Sequence, residues 1–119
     1  MHAATLRTHQ LRGKLDEIVS PNAAFERVAS GFHFVEGPVW YADAGALLFS
    51  DIIGNTMYRL GTGGEVEVFR KPSQMANGST LDREGRLLTC EHATSRVSRT
   101  TADGHYEVIA SHFQGSELN

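Results

Sequence analysis

Residues 43–69, DAGALLFSDIIGNTMYRLGTGGEVEVF, decide the fold, because residues 83–109, REGRLLTCEHATSRVSRTTADGHYEVI, restate their pattern forty positions later without a gap. Gly45 falls on Gly85, Leu47 on Leu87, Leu48 on Leu88, Arg59 on Arg99, Gly64 on Gly104, Glu67 on Glu107 and Val68 on Val108. Asp51 meets Glu91, Met57 meets Val97 and Phe69 meets Ile109. In each copy a turn ending in glycine (43–45, then 83–85) introduces an apolar strand (46–51, then 86–91). A second strand (55–60, then 95–100), a glycine turn and a third strand (65–69, then 105–110) follow. With the strands before the first turns (38–41 and 79–82), each copy supplies four short antiparallel strands.

A period of about 40 residues with four strands per copy is the signature of a β-propeller blade. Helical solenoids share such periods, but Gly and Asp turns between such short runs exclude helices. A meander or sandwich with evenly spaced hairpins is the plainer alternative. The sequence therefore reads as all-β from residue 24 to 119, with blades over 36–75 and 76–115. Residues 1–23 read as an N-terminal extension, with a short helix around 11–19 suggested by Leu11, Leu15 and Ile18 and stopped by Pro21. Two blades do not close a ring, since propellers typically use 4 to 8. A third blade would begin near Ser116, so truncation of a longer protein is expected.

Composition narrows the partners. Eleven Lys and Arg against 14 Asp and Glu leave a net charge of −3, which provides no basic field for nucleic acid or an anionic membrane. Apolar runs fall far short of the roughly 20 residues that cross a bilayer, and residues 1–13 lack a signal-peptide core, so a cytoplasmic location is expected. The single cysteine, Cys90, allows neither an internal disulfide nor a cysteine-rich zinc site. It falls on a repeat strand and reads as a small buried hydrophobe.

The local motifs point to a family. The run Gly31-Phe-His-Phe-Val-Glu36-Gly37-Pro38-Val39-Trp40, then Leu48-Phe-Ser-Asp51-Ile52 with Asn55, Ala76-Asn77-Gly78, Leu81-Asp82, Gly85-Arg86-Leu87-Leu88 and Cys90-Glu91-His92, resembles the SMP-30/gluconolactonase/LRE group. That resemblance implies a six-bladed β-propeller that holds a divalent cation, usually calcium, in its central channel and hydrolyses sugar lactones or related esters. By position Glu36 matches the family's first metal ligand. A carboxylate is a hard oxygen donor suited to Ca²⁺, and Gly37-Pro38 sets an extended backbone beside it. The family's other ligands, an asparagine and an aspartate, belong to later blades. Its substrate-contacting asparagine is expected just past Leu118-Asn119, and the catalytic groups are expected beyond Asn119 as well. One carboxylate cannot satisfy the six to eight oxygens of calcium, so this chain by itself is expected to bind metal weakly and to be inactive.

Asn77 and His92 are the candidate substrate-binding residues. Asn77 opens the second blade one residue later than the register of Glu36 and either faces the channel or is a positive-φ turn residue before Gly78. His92 ends a strand, where it either meets substrate or is an ordinary surface histidine. Asp51 and Glu91 hold equivalent repeat positions, which argues that at least one of them serves a structural role such as capping a turn. His33 and Glu36 lie on opposite faces of an extended segment and do not form a metal pair. Residues 61–64 are glycine-rich but precede no helix carrying Lys-Ser or Lys-Thr, so they are a hairpin and not a phosphate loop. No Gly-x-Ser-x-Gly elbow supports a serine nucleophile. The expected function is a metal-dependent lactonase acting on a small lactone or ester. The alternative is a non-catalytic propeller that binds or regulates.

Overall fold

The computed structural model describes residues 4–5 and 13–118. Contacts group the chain into one unit through Ser30 and a second from Gly31 onward. In the first unit, β1 (Ala4–Thr5) pairs antiparallel with β2 (Ala24–Phe25). Of the helix expected over 11–19, residues 11 and 12 lie outside the described residues. The remainder forms a single 3₁₀ turn at Leu15–Glu17, with no buried residue and no side-chain cap. So short an amphipathic segment holds a helix only when it docks, and nothing buries this one.

The second unit is built of two four-stranded antiparallel sheets in plain up-and-down order. The first contains β3 (Val35–Tyr41), β4 (Ala46–Asp51), β5 (Thr56–Gly61) and β6 (Val66–Arg70). The second contains β7 (Ala76–Leu81), β8 (Leu87–Glu91), β9 (Arg96–Thr100) and β10 (Tyr106–Ala110). A small hairpin of β11 (His112–Phe113) and β12 (Ser116–Glu117) follows. The strand expected over 46–51 is matched end to end, whereas those expected to open the blades at 38 and 79 begin three residues earlier, at Val35 and Ala76.

That extension corrects the gapless repeat. Val35 pairs with Asp51 and Glu36 with Ser50, while Ala76 pairs with Glu91. Both inner strands then slip register, between Glu36 and Val39 and between Ala76 and Ser79. Since Asp51 and Glu91 are repeat partners, Val35 corresponds to Ala76 and Glu36 to Asn77, a spacing of 41 in β3 and β7 against 40 elsewhere. The missing residue comes out of the turn. A 3₁₀ turn at Ala42–Ala44 joins β3 to β4, whereas a tighter turn joins β7 to β8, where the Asp82 carboxylate accepts the N–H groups of Glu84 and Arg86.

The sheets pack face to face through alternate residues, as the two-residue period of a strand requires. Tyr41, Leu48 and Met57 of the first meet Ala76 and Leu87 of the second, with Val39, Phe69 and Leu81 around them. Leu48 and Met57 are fully buried, so truncating either to Ala costs about 2–5 kcal/mol. On the opposite face of the first sheet, Phe32 packs edge-on to Phe49 and against Tyr58, with ring centroids 5.0 and 4.9 Å away. The crossing between sheets is pinned by Asn55, whose Oδ1 accepts the N–H groups of Ser73 and Met75 and the Ser73 hydroxyl.

Candidate active site

The inner strands β3 and β7 meet at Gly37 and Asn77. Gly37 has φ +60°, and a Cβ there would overlap the carbonyl oxygen of Asn77. Only glycine allows that approach at that backbone angle. The residue before it, Glu36, is thereby placed on a strand running directly beside Asn77. Glu36 is half-buried, and no hydrogen bond or ion pair to a described residue engages its carboxylate. Its cross-strand neighbour Ser50 points to the same face and carries a fully buried hydroxyl without a hydrogen-bond partner.

Asn77 lies within strand β7, and its φ is not positive, so the turn reading is set aside. Its side-chain oxygen accepts the Gly78 N–H at 2.6 Å, which fixes the amide over the register slip. His92 is exposed just past β8, its N–H bonded to the Met75 carbonyl at 3.3 Å. Asn77 and His92 line one cleft of about 260 Å³ together with Cys90, Ser95, Arg96 and Leu118. Glu36 does not line it. The structure thus brings Asn77 beside Glu36 through the backbone and beside His92 through the cleft. Cys90 corrects the reading of a buried thiol: it alternates outward from buried Thr89 and Glu91 and is exposed, since no described sheet lies against that face.

The repeat carboxylates do structural work of two kinds. Asp51 is buried and accepts backbone N–H groups from His33, Phe34 and Gly54 at 3.0–3.1 Å. The His33 Nδ1 lies 3.3 Å away, so His33 is committed to Asp51 and not to Glu36. Burial alone would raise the Asp51 pKa. The three backbone donors and the His33 ring outweigh it and hold the carboxyl at about 2. Glu91, also buried, accepts the hydroxyls of Ser98, Thr94 and Tyr106 at 2.7–3.1 Å. Arg70 reaches across from the first sheet to 3.6 Å from Glu91 and lies over the Tyr106 ring. Desolvation lowers the Arg70 pKa, opposed by the Glu91 charge. Sequence reasoning missed this strut between the sheets, since nothing in the spacing of Arg70, Glu91 and Tyr106 announces it.

A cation fits here only in part. Glu36 offers a hard oxygen, and Asn77 is the nearest equivalent position with an amide oxygen, although that oxygen already accepts one N–H. Among the described residues no cluster of three or more His, Cys, Asp and Glu could hold a metal ion. Two oxygen residues are fewer than calcium requires. The signal that could have tied Asn77 to Glu36 was present in the sequence as Glu-Gly and Asn-Gly 41 residues apart, hidden by the 40-residue register of the other strands.

Two consecutive four-stranded up-and-down sheets, packed face to face with their inner strands adjacent, define blades of a β-propeller. A family model of the SMP-30/gluconolactonase/LRE-like region matches residues 34–119, and the chain belongs to that family. It is similar to the gluconolactonase of Zymomonas mobilis, with 26% identity over 120 residues that cover 89% of this chain and 34% of that protein. Among solved structures, a gluconolactonase from Xanthomonas campestris superposes with a TM-score of 0.74 at 28% identity, over 77% of this chain and 31% of that one. A structural-genomics X-ray structure assigned to the gluconolactonases superposes with a TM-score of 0.75 at 35% identity, over 79% and 33%. Virginiamycin B lyase from Staphylococcus aureus, at 21% identity and a TM-score of 0.56, shares the fold alone. The chain spans about one third of the length of the relatives it matches.

Proposed function

We propose that these two blades contribute the first metal ligand and part of the substrate wall of a gluconolactonase-like hydrolase of sugar lactones. The observation that carries the reading is Glu36, an acidic side chain with no partner among the described residues. The Gly37–Asn77 backbone contact holds it at the inner edge of the blades. A bound divalent cation, most suitably Ca²⁺, would polarise the lactone carbonyl and stabilise the oxyanion that forms as water adds. Glu36 would supply one carboxylate oxygen to it. Asn77 and His92 would offer hydrogen bonds to sugar hydroxyls from the cleft they share. The general base and the remaining oxygen ligands would come from other blades.

The test is made on a polypeptide that carries these blades in a complete ring. There Glu36→Gln should weaken Ca²⁺ binding by at least about tenfold and slow lactone hydrolysis in parallel, about 1.4 kcal/mol or more in each. Unchanged values of both would reject the assignment. A second reading, a propeller that binds without catalysing, rests on the absence among the described residues of any group of three His, Cys, Asp and Glu that could hold a metal ion. It predicts that lactone hydrolysis never exceeds the uncatalysed rate, whatever cation is supplied.

A further inference from the structure

Asn77 and His92 both hang from one short crossover between the blades, and that crossover is held by a residue to which no part in the reaction has been given. Residues 73–75 lead from β6 into β7, where Asn77 is the second residue. The Met75 carbonyl accepts the His92 N–H at 3.3 Å and the Gln74 carbonyl accepts the Ala93 N–H at 3.0 Å, so the same segment carries the turn after β8. Gln74 and Met75 stand at φ +60° and +53°, a left-handed backbone that residues other than glycine rarely adopt. Such a pair persists only where its surroundings fix it. What fixes it is Asn55, in the turn between β4 and β5. Its Oδ1 accepts the Met75 N–H at 2.9 Å, the Ser73 N–H at 3.2 Å and the Ser73 hydroxyl at 3.3 Å. All three partners donate, so an oxygen must stand there, and no described residue engages the amide nitrogen. The turn itself does not call for an amide, since Ser95 holds the equivalent place on the second blade at φ +50°, against +48° for Asn55.

We infer, on the lactonase reading of the cleft shared by Asn77 and His92, that Asn55 is a positioning residue for the substrate. Through residues 73–75 it sets the backbone from which both side chains reach that cleft. The link runs from the first blade to the second in two steps: Asn55 holds the N–H groups of the crossover, and the crossover carbonyls hold residues 92 and 93. Glu36 lies outside this relay, because its strand is held by pairing with Ser50 on its own blade. Losing the Asn55 oxygen therefore loosens the substrate wall and leaves the first cation ligand in place.

Asn55→Gly and Asn55→Asp, made in the polypeptide that carries these blades in a complete ring, test this. Glycine keeps the left-handed backbone and removes the acceptor, whereas aspartate keeps an oxygen for all three donors. Asn55→Gly should raise the KM for a sugar lactone about tenfold while kcat and Ca²⁺ affinity change less than about twofold, and Asn55→Asp should stay within about twofold of wild type throughout. A role in stability alone would lower the active fraction, and so the apparent kcat, with KM unmoved; that result overturns the proposal. Amide hydrogen exchange at His92 and Ala93, read by NMR without substrate, should quicken about tenfold in Asn55→Gly and not in Asn55→Asp. Unchanged exchange breaks the relay and overturns the proposal whatever the kinetics. If Asn55→Gly unfolds, Asn55→Ser takes its place, copying the residue of the second blade's turn. A wild type that hydrolyses lactone no faster than the uncatalysed rate rejects the lactonase reading and this proposal with it. An active wild type whose KM ignores the loss of the Asn55 oxygen overturns this proposal alone.

Discussion

The first and second blades use one repeat position for different purposes. Asp51, with one methylene fewer, gathers backbone N–H groups from Gly54 in the turn that follows it and from residues 33 and 34 ahead of β3. Glu91, one methylene longer, accepts the Thr94 hydroxyl of its own turn, the hydroxyls of Ser98 and Tyr106 on the next two strands, and lies 3.6 Å from the guanidinium of Arg70 on the neighbouring blade. The same difference recurs at the inner glycines. Gly37 has positive φ and abuts the Asn77 carbonyl, whereas Gly78, its counterpart by register, has open space where a Cβ would stand. The repeat preserves the geometry of strands. What each blade brings to their shared boundary differs: the first offers Gly37 to a backbone contact and Arg70 to an ion pair, the second offers Asn77 and Glu91.

The largest expected break in that comparison is Glu91→Ala, which strands the Arg70 charge and three hydroxyls and should cost about 3–5 kcal/mol in urea unfolding. Close behind, Gly37→Ala should cost about 3 kcal/mol or more, because both the backbone angle and the Asn77 contact must give. Gly78→Ala should stay within about 1 kcal/mol, and equal costs for the two glycines would dissolve the contrast drawn between the inner strands. Asp51→Asn should cost about 1–3 kcal/mol, since an amide has one acceptor oxygen for the donors that two oxygens now serve.

Acid tests the hydrogen bonds of Asp51. The folded Asp51 pKa is depressed to about 2, below its ordinary value of 3.8, so its contribution is complete above pH 4 and disappears as pH falls towards 2. Thermal melts of wild type should lose stability over that window, and Asp51→Asn should show a shallower slope there. The smallest effect belongs to the surface pairs. Arg59→Ala and Arg99→Ala should each cost about 0–1 kcal/mol, the second more than the first, because Arg99 holds Glu107 at 2.6 Å and Arg59 lies 3.6 Å from Glu67.

Much of the architecture is legible in residues 43–69 and 83–109, because strand alternation and glycine turns are local properties. The strand at 46–51 and a structural part for at least one of Asp51 and Glu91 follow from the repeat alone. The short N-terminal helix does not, since its described part is one 3₁₀ turn at Leu15–Glu17 with no fully buried residue. Cys90 reads as buried because alternation assigns it to a face, yet whether that face is covered depends on a neighbour that alternation does not describe. Asn77 reads as shifted by one residue from Glu36. The two correspond because a shorter turn between β7 and β8 absorbs the difference, which shows only when hydrogen-bond register is known.

By itself, then, the sequence determined the class of the protein: a β-rich repeat of about 40 residues whose Glu-Gly-Pro, Phe-Ser-Asp and Asn-Gly motifs belong to the gluconolactonase family. Tertiary structure alone decided that Gly37, next to Glu36, meets the Asn77 backbone, that His33 is taken by Asp51, and that Arg70 spans the blades to Glu91. The physical reason is range. Strand propensity and turn chemistry act over a few residues along the chain. An ion pair or backbone contact between blades joins residues 21 apart at Arg70–Glu91 and 40 apart at Gly37–Asn77, and it is set by packing, which no local pattern records.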